Sequence, residues 1–202
     1  MAIISKNQIE ILNLFRKDIF LSETIRKISL ILKKDYPTTY NVIIDLEKKD
    51  IIKIKKVGNS KICEIRFTQE AISILSFLDE QESLSKNIPN IKKILDFKEF
   101  LDDIVLIAGS YAKGKQTKKS DIDLVIISKD NVLKKQKLIE NLTALFIPKI
   151  HPIVVSYKDF IGMLLSKEEN YGKEIFKNKL LFRSSKRYYE LIKEAIGNGF
   201  RG

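Results

Sequence analysis

Apolar positions follow helical spacing along the first third of the chain. Ile9, Leu12 and Phe15, with Ile11 beside them, predict an amphipathic helix over residues 6–15. A polar start at Ser22, Glu23 and Thr24 leads to Ile25, Ile28 and Leu32, a second helix. Asp35, Tyr36 and Pro37 break it, and Pro37 fits the first turn of a third helix reaching residue 49, where its missing N–H costs nothing. The period then shortens to two. Residues 50–56 and 61–67 alternate around Gly58, Asn59 and Ser60, the pattern of a β-hairpin. Helical spacing returns over 69–83, through Ile72, Leu75 and Leu78, and the polar stretch 81–89 with Pro89 reads as a linker.

Beyond the linker the pattern alternates between helices and short apolar runs. A helix is expected over 91–101 (Ile91, Ile94, Leu95, Phe97, Phe100, Leu101). Ile104 to Ala108 is continuously apolar and ends at Gly109, which suits a strand covered on both faces. A polar loop over 111–120 precedes a second strand over 121–127. A helix through Val132, Leu138, Leu142 and Leu145 stops at Pro148, residues 150–155 form a third strand, and 157–165 a further helix. From Ile175 the tail carries a strand-like segment (Leu180, Leu181, Phe182) and a closing helix (Tyr188, Tyr189, Leu191, Ile192), whose aromatics read as core.

Composition narrows the function. The chain has 202 residues, 44% of them hydrophobic, enough for packed cores in one large or two small domains. It has no apolar run of about 18 residues, so no membrane span is expected. The opening Met-Ala-Ile-Ile-Ser-Lys-Asn-Gln lacks the architecture of a signal peptide. Cys63 is the single cysteine, which excludes an intramolecular disulfide and points to a cytoplasmic protein. A net charge of +11 favours a polyanionic partner, nucleic acid or nucleoside triphosphate. The excess is spread: residues 1–80 hold 14 Lys and Arg against 11 Asp and Glu, the remainder 23 against 15.

The chemistry gathers between residues 104 and 127. Asp121 and Asp123, two apart on a strand, face one way about 6–7 Å apart along the chain. Two like charges side by side call for a hard divalent cation, typically Mg2+. Gly109 and Ser110 end the first strand at a turn whose backbone N–H groups suit phosphate.

Ala108, Gly109, Ser110, the spacer 111–120, and then Asp121, Ile122, Asp123 and Leu124 resemble the signature of the DNA polymerase beta-type nucleotidyltransferase superfamily. The wording Gly-Ser-Tyr-Ala-Lys-Gly…Ser-Asp-Ile-Asp-Leu is most similar to its minimal nucleotidyltransferase branch. The resemblance implies that Asp121 and Asp123 bind Mg2+ and are catalytic. It implies too that Gly109 and Ser110, with Lys113 and Lys119 assisting, hold the triphosphate of an NTP. Active members add a third carboxylate from the next strand. Here His151, the one histidine, takes that place by register; a base, a metal ligand and a plain strand-end residue all remain open for it.

Three helices followed by a basic hairpin resemble a winged helix-turn-helix domain. Thr38, Thr39, Tyr40 and Asn41 would then lie at the exposed start of a recognition helix, with Lys53, Lys55, Lys56 and Lys61 on the wing meeting phosphates of DNA or RNA. Protein binding or homodimerisation is the alternative use of such a domain. The expectation is therefore an α+β protein: a winged helix-turn-helix domain at 1–85, and a nucleotidyltransferase-like domain at 86–202 with a mixed β-sheet flanked by helices. Two functions follow. One is Mg2+-dependent transfer of a nucleoside monophosphate from an NTP to a hydroxyl. The other is DNA-binding regulation, with a degenerate nucleotidyltransferase-like domain that senses nucleotide or dimerises.

Overall fold

A computed structural model describes residues 4–202; the first three residues of the opening segment read for a leader lie outside the described residues. It is a mixed α and β structure with two sheets, and the chain divides into two compact units at Leu78/Asp79.

The first unit begins with α1 (Lys6–Lys17), capped by Ser5, which accepts from the Gln8 N–H while the Gln8 side chain returns to the Ser5 N–H. Next come β1 (Glu23–Thr24), α2 (Ile25–Leu32) and α3 (Tyr36–Lys48). Pro37 sits in the first turn of α3, as the sequence predicts, and Asp35, read there as part of the break, caps the helix. The hairpin pairs β2 (Ile52–Val57) with β3 (Ser60–Ile65), and the register Val57↔Ser60 leaves Gly58 and Asn59 as a two-residue turn. Glu23 and Thr24, read as a polar helix start, also add a third strand by pairing with Cys63 and Ile62. Ile11, Phe15, Ile28, Ile43, Leu46, Ile52 and Cys63 are fully or almost fully buried. The helix α4 (Gln69–Leu84) crosses the boundary between the units.

The second unit holds α5 (Ile91–Leu95) and a 3-10 turn, Lys98–Phe100, where the sequence predicts one continuous helix. The break has a visible cause. The Arg183 guanidinium donates to the carbonyls of Leu95 and Phe100, and Phe97 between them is extended. There follow β4 (Ile104–Ile107), the short turn of helix α6 (Gly109–Ala112), β5 (Ile122–Ser128), α7 (Val132–Thr143), β6 (Ile150–Ser156), α8 (Tyr157–Leu165), α9 (Tyr171–Lys177), β7 (Leu180–Arg183) and α10 (Ser185–Gly197). The sheet runs β6-β5-β4-β7, with β5 and β6 parallel and the other pairs antiparallel.

The two central strands, β4 and β5, carry the longest apolar runs, and every residue of β4 is buried. Their side chains join Phe100, Tyr111, Ile139, Ile150 and Phe182 in one core. At the far end of β5, Asp103 is almost wholly buried, and Lys135 of α7 donates to both its carboxylate oxygens at 2.9 and 2.8 Å and to Ser128 at 2.9 Å. Helix α9 was not predicted. It is set against α8 at Gly172, where a Cβ would stand 2.5 Å from the Met163 Cβ.

Candidate functional site

The site lies where β4 ends and β5 begins. Gly109 leaves β4 with φ of +61°, a conformation that L side chains rarely adopt. A second constraint acts on the same residue: a Cβ there would stand 1.8 Å from Asp123 Oδ2. The bare Cα of Gly109 therefore packs against the Asp123 carboxylate, and the Ala108 N–H donates to the Asp123 carbonyl at 2.9 Å. Ser110 follows, half-buried in α6.

Asp121 stands one residue before β5, half-exposed, and Asp123 is the second residue within it. The parallel register pairs Asp123 with His151 on β6. His151 Nε2 lies 3.0 Å from Asp121 Oδ2, so the structure brings Gly109, Asp121, Asp123 and His151 together. Burial pushes the Asp123 carboxyl up; the His151 charge lowers it, and the charges of Glu174 and Asp121 raise it further.

Lys113, at the end of α6, also acts on Asp123, and its ammonium is held 2.6 Å from Glu174. Lys119 sits in an exposed turn closed by hydrogen bonds between Thr117 and Ser120, outside the group of strongest charges at Asp123. Glu174 and Tyr171, one turn apart on α9, are the members of the site that sequence reasoning missed. Burial, then the Asp123 and Glu174 charges, pushes the Tyr171 hydroxyl up to about 12. The available signal was Asn170, a helix cap, followed by Tyr171 and Glu174 at helical spacing.

Mg2+ at a nucleotide site takes one or two carboxylates and completes its shell with phosphates and water. Asp121 and Asp123 fit that demand, and the Asp123 carboxylate occupies the space that a Cβ at residue 109 would need. Among the described residues no group of three or more His, Cys, Asp or Glu side chains is assembled as a metal cage.

The first unit carries the expected basic face in altered form. Thr38 and Tyr40 are partly exposed and Asn41 is exposed, but Thr39 is buried, its hydroxyl donating to the Asp35 carbonyl at 2.9 Å. The lysines split between the faces of the hairpin. Lys53 and Lys55 share one, where Lys55 is paired with Glu64 at 2.5 Å; Lys56 lies opposite Lys61 on the other. Lys61 donates to the Tyr40 hydroxyl at 2.7 Å, a bond that raises its pKa. Lys61, Tyr40 and Tyr36 line a cleft of 730 Å³ together with Arg26 and Lys34, which sequence reasoning did not single out.

A family model described as a nucleotidyltransferase domain matches residues 88–190, which include both aspartates, His151 and Glu174. No curated protein matches the chain. Among solved structures, the chain is similar to MepR, a transcription regulator of the Staphylococcus aureus multidrug efflux pump MepA, at 20% identity and a TM-score of 0.36, over 48% of this chain and 69% of that one. A mutant of that regulator from a multidrug-resistant clinical isolate gives the same identity, score and coverage of this chain, with 68% of its own length covered. No helix among the described residues is long and apolar enough to cross a membrane.

Proposed function

The chain belongs to the nucleotidyltransferase-domain family, and on that premise we propose that it transfers a nucleoside monophosphate from an NTP to a hydroxyl acceptor with Mg2+. The observation that carries this reading is the contact between the Gly109 Cα and the Asp123 carboxylate, with Asp121 and His151 beside it. In this reading Asp121 and Asp123 hold Mg2+, which when bound offsets the charge on the phosphates and on the leaving pyrophosphate. Gly109 and Ser110 face the triphosphate and Lys113 neutralises it. With His151 Nε2–H donated to Asp121, Nδ1 is left to accept the acceptor hydroxyl's proton. The hydroxyl oxygen then bonds to the α-phosphorus as the α–β phosphoanhydride bond breaks and pyrophosphate departs. The Gly-Ser-Tyr-Ala-Lys-Gly wording supports the minimal branch of the superfamily.

The N-terminal unit, in this reading, is a winged helix-turn-helix that brings DNA or RNA to the protein in the cytoplasm. The order of three helices and a hairpin supports it, as do the lysines of the wing. A specific observation favours the second reading, a regulator with a degenerate domain: His151, not a carboxylate, pairs with Asp123.

Incubation with labelled NTPs, Mg2+ and cell extract separates the two. Transfer by the wild type and none by Asp121→Asn/Asp123→Asn, with an unchanged melting curve, is the expected result. Mg–NTP binding by wild type with no pyrophosphate released under any condition refutes the enzyme and leaves the sensor.

A further inference from the structure

In the first unit, α2, the start of α3 and the turn of the hairpin enclose the cleft of 730 Å³, within the roughly 300–1,000 Å³ range of small-ligand pockets. Three cations line it, Arg26, Lys34 and Lys61, and among the described residues no carboxylate does. Lys34 is already paired with Glu10 at 2.7 Å, whereas Arg26 has no ion pair among the described residues. Lys61 has only a neutral partner: it donates to the Tyr40 hydroxyl at 2.7 Å, and its ammonium lies 4.6 Å from the centre of that ring. Its charge is therefore uncompensated. Two apolar surfaces open into the same cleft, Tyr36 at 47% exposure and Leu30 at 65%. The Tyr36 and Tyr40 rings stand 5.9 Å apart.

Exposed aromatic surface beside cations, without anions, suits a flat group that carries negative charge. A base with its phosphate is such a group, and a single strand offers the face of its bases where a duplex keeps them stacked. The start of α3 is poorly built to enter a duplex groove. Thr39 is turned inward and Tyr40 is held by Lys61, so two of the four side chains expected to read bases are withdrawn. We propose that this cleft takes one unstacked base of a single-stranded nucleic acid, with the base on the Tyr36 ring and its phosphate between Arg26 and Lys61. The inference rests on the nucleic-acid reading of the N-terminal unit above. Lys56, opposite Lys61 on the same face of the hairpin, meets the next phosphate along the strand.

The test uses the full chain and fluorescein-labelled 12-nucleotide oligomers, DNA and RNA, each offered as a single strand and as a duplex of the same sequence. Anisotropy titrations should show a single strand bound at least about tenfold more tightly than its duplex. Tyr36→Ala should weaken single-strand binding by about 5–150-fold, the loss of one stacked base, and leave the salt slope unchanged. Tyr36→Phe, which keeps the ring, should bind like wild type. Arg26→Ala should instead lower the salt slope by about 0.7, one single-strand phosphate. A 2-aminopurine placed in the strand should be quenched by wild type and by Tyr36→Phe, and not by Tyr36→Ala. A duplex bound as tightly as the single strand overturns the proposal. So does a Tyr36→Ala variant that binds within about twofold of wild type, with melting curves showing both proteins folded. Should wild type bind no oligomer of either form, the nucleic-acid reading of the unit fails first, and the proposal with it.

Discussion

Replacing Gly109 by alanine tests the geometry on which the site rests. Two penalties act. The φ of +61° places any L side chain in the left-handed region, at roughly 1–2 kcal/mol. The new Cβ would also meet Asp123 Oδ2 at 1.8 Å, whereas ordinary contact begins at 3.4 Å, so the carboxylate must retreat by the difference, about 1.6 Å. A misplacement of about 1 Å can cost on the order of 100-fold in a reacting site. Gly114 supplies the control, because its φ is +65° but a Cβ there meets nothing within 4 Å. Gly114→Ala should therefore lose only the strain energy, a fall of roughly 4–8 °C in melting temperature per kcal/mol for a domain near 100 residues. Its Mn2+–nucleotide affinity should be unchanged. Gly109→Ala should melt lower still and bind the Mn2+–nucleotide about 100-fold more weakly. Calorimetry and thermal melts read both quantities. If the two variants behave alike in melting and in affinity, the carboxylate does not lean on residue 109 and the site as drawn is wrong.

On the hairpin, Lys53→Ala and Lys56→Ala should each reduce the salt dependence of DNA binding by about one phosphate, while Lys55→Ala changes it less because Glu64 already neutralises that lysine; anisotropy titrations across a salt series give the slopes, and an unchanged slope in the Lys53/Lys56 double variant removes the wing from the interface. Lys135→Met should destabilise the second unit by about 3–5 kcal/mol, since it strands a buried Asp103 without its partner; urea denaturation measures the loss, and a change under 1 kcal/mol would contradict the pairing. Cys63 is buried and its thiol is pushed up to about 12 from 9.0. Because the unfolded thiol ionises first, stability is full below pH 9.0 and declines as pH rises toward 12, at no more than about 1.4 kcal/mol per pH unit. Alkylation by iodoacetamide should track global unfolding, and a native thiol that reacts as fast as the unfolded one would place Cys63 outside the core.

Elements whose identity comes from their own side chains were legible in the sequence. The strands at β4 and β5 are apolar on both faces because they lie inside the sheet, and α3 announces itself through Asp35 and Pro37. Elements made by a distant partner were not. Glu23 and Thr24 become a strand only because Cys63 and Ile62 line up beside them. The stretch 91–101 has uninterrupted helical spacing, yet an arginine some eighty residues later takes the Leu95 and Phe100 carbonyls and breaks it in two. Thr39 sits among polar neighbours in the sequence, but the turn of α3 points it inward, where its hydroxyl bonds the Asp35 carbonyl.

The same distinction runs through the site. Gly109, Ser110, Asp121 and Asp123 lie on adjoining strand ends, so their spacing along the chain carries their geometry. His151 is reached through one register, and the pairing of Asp123 with His151 sets it there. Glu174 has no such route. It comes from a seven-residue helix that the sheet does not order, placed by the approach of Gly172 to Met163 and by the Asn170 hydrogen bond. Short helices gain little from their own hydrogen bonds and depend on packing, so their positions are written in contacts rather than in local pattern. Asp123, by contrast, is pinned on a central strand against Gly109. The strand-borne half of the site is therefore the half that the sequence reveals, and the ion pair of Lys113 with Glu174 comes to light only in the fold.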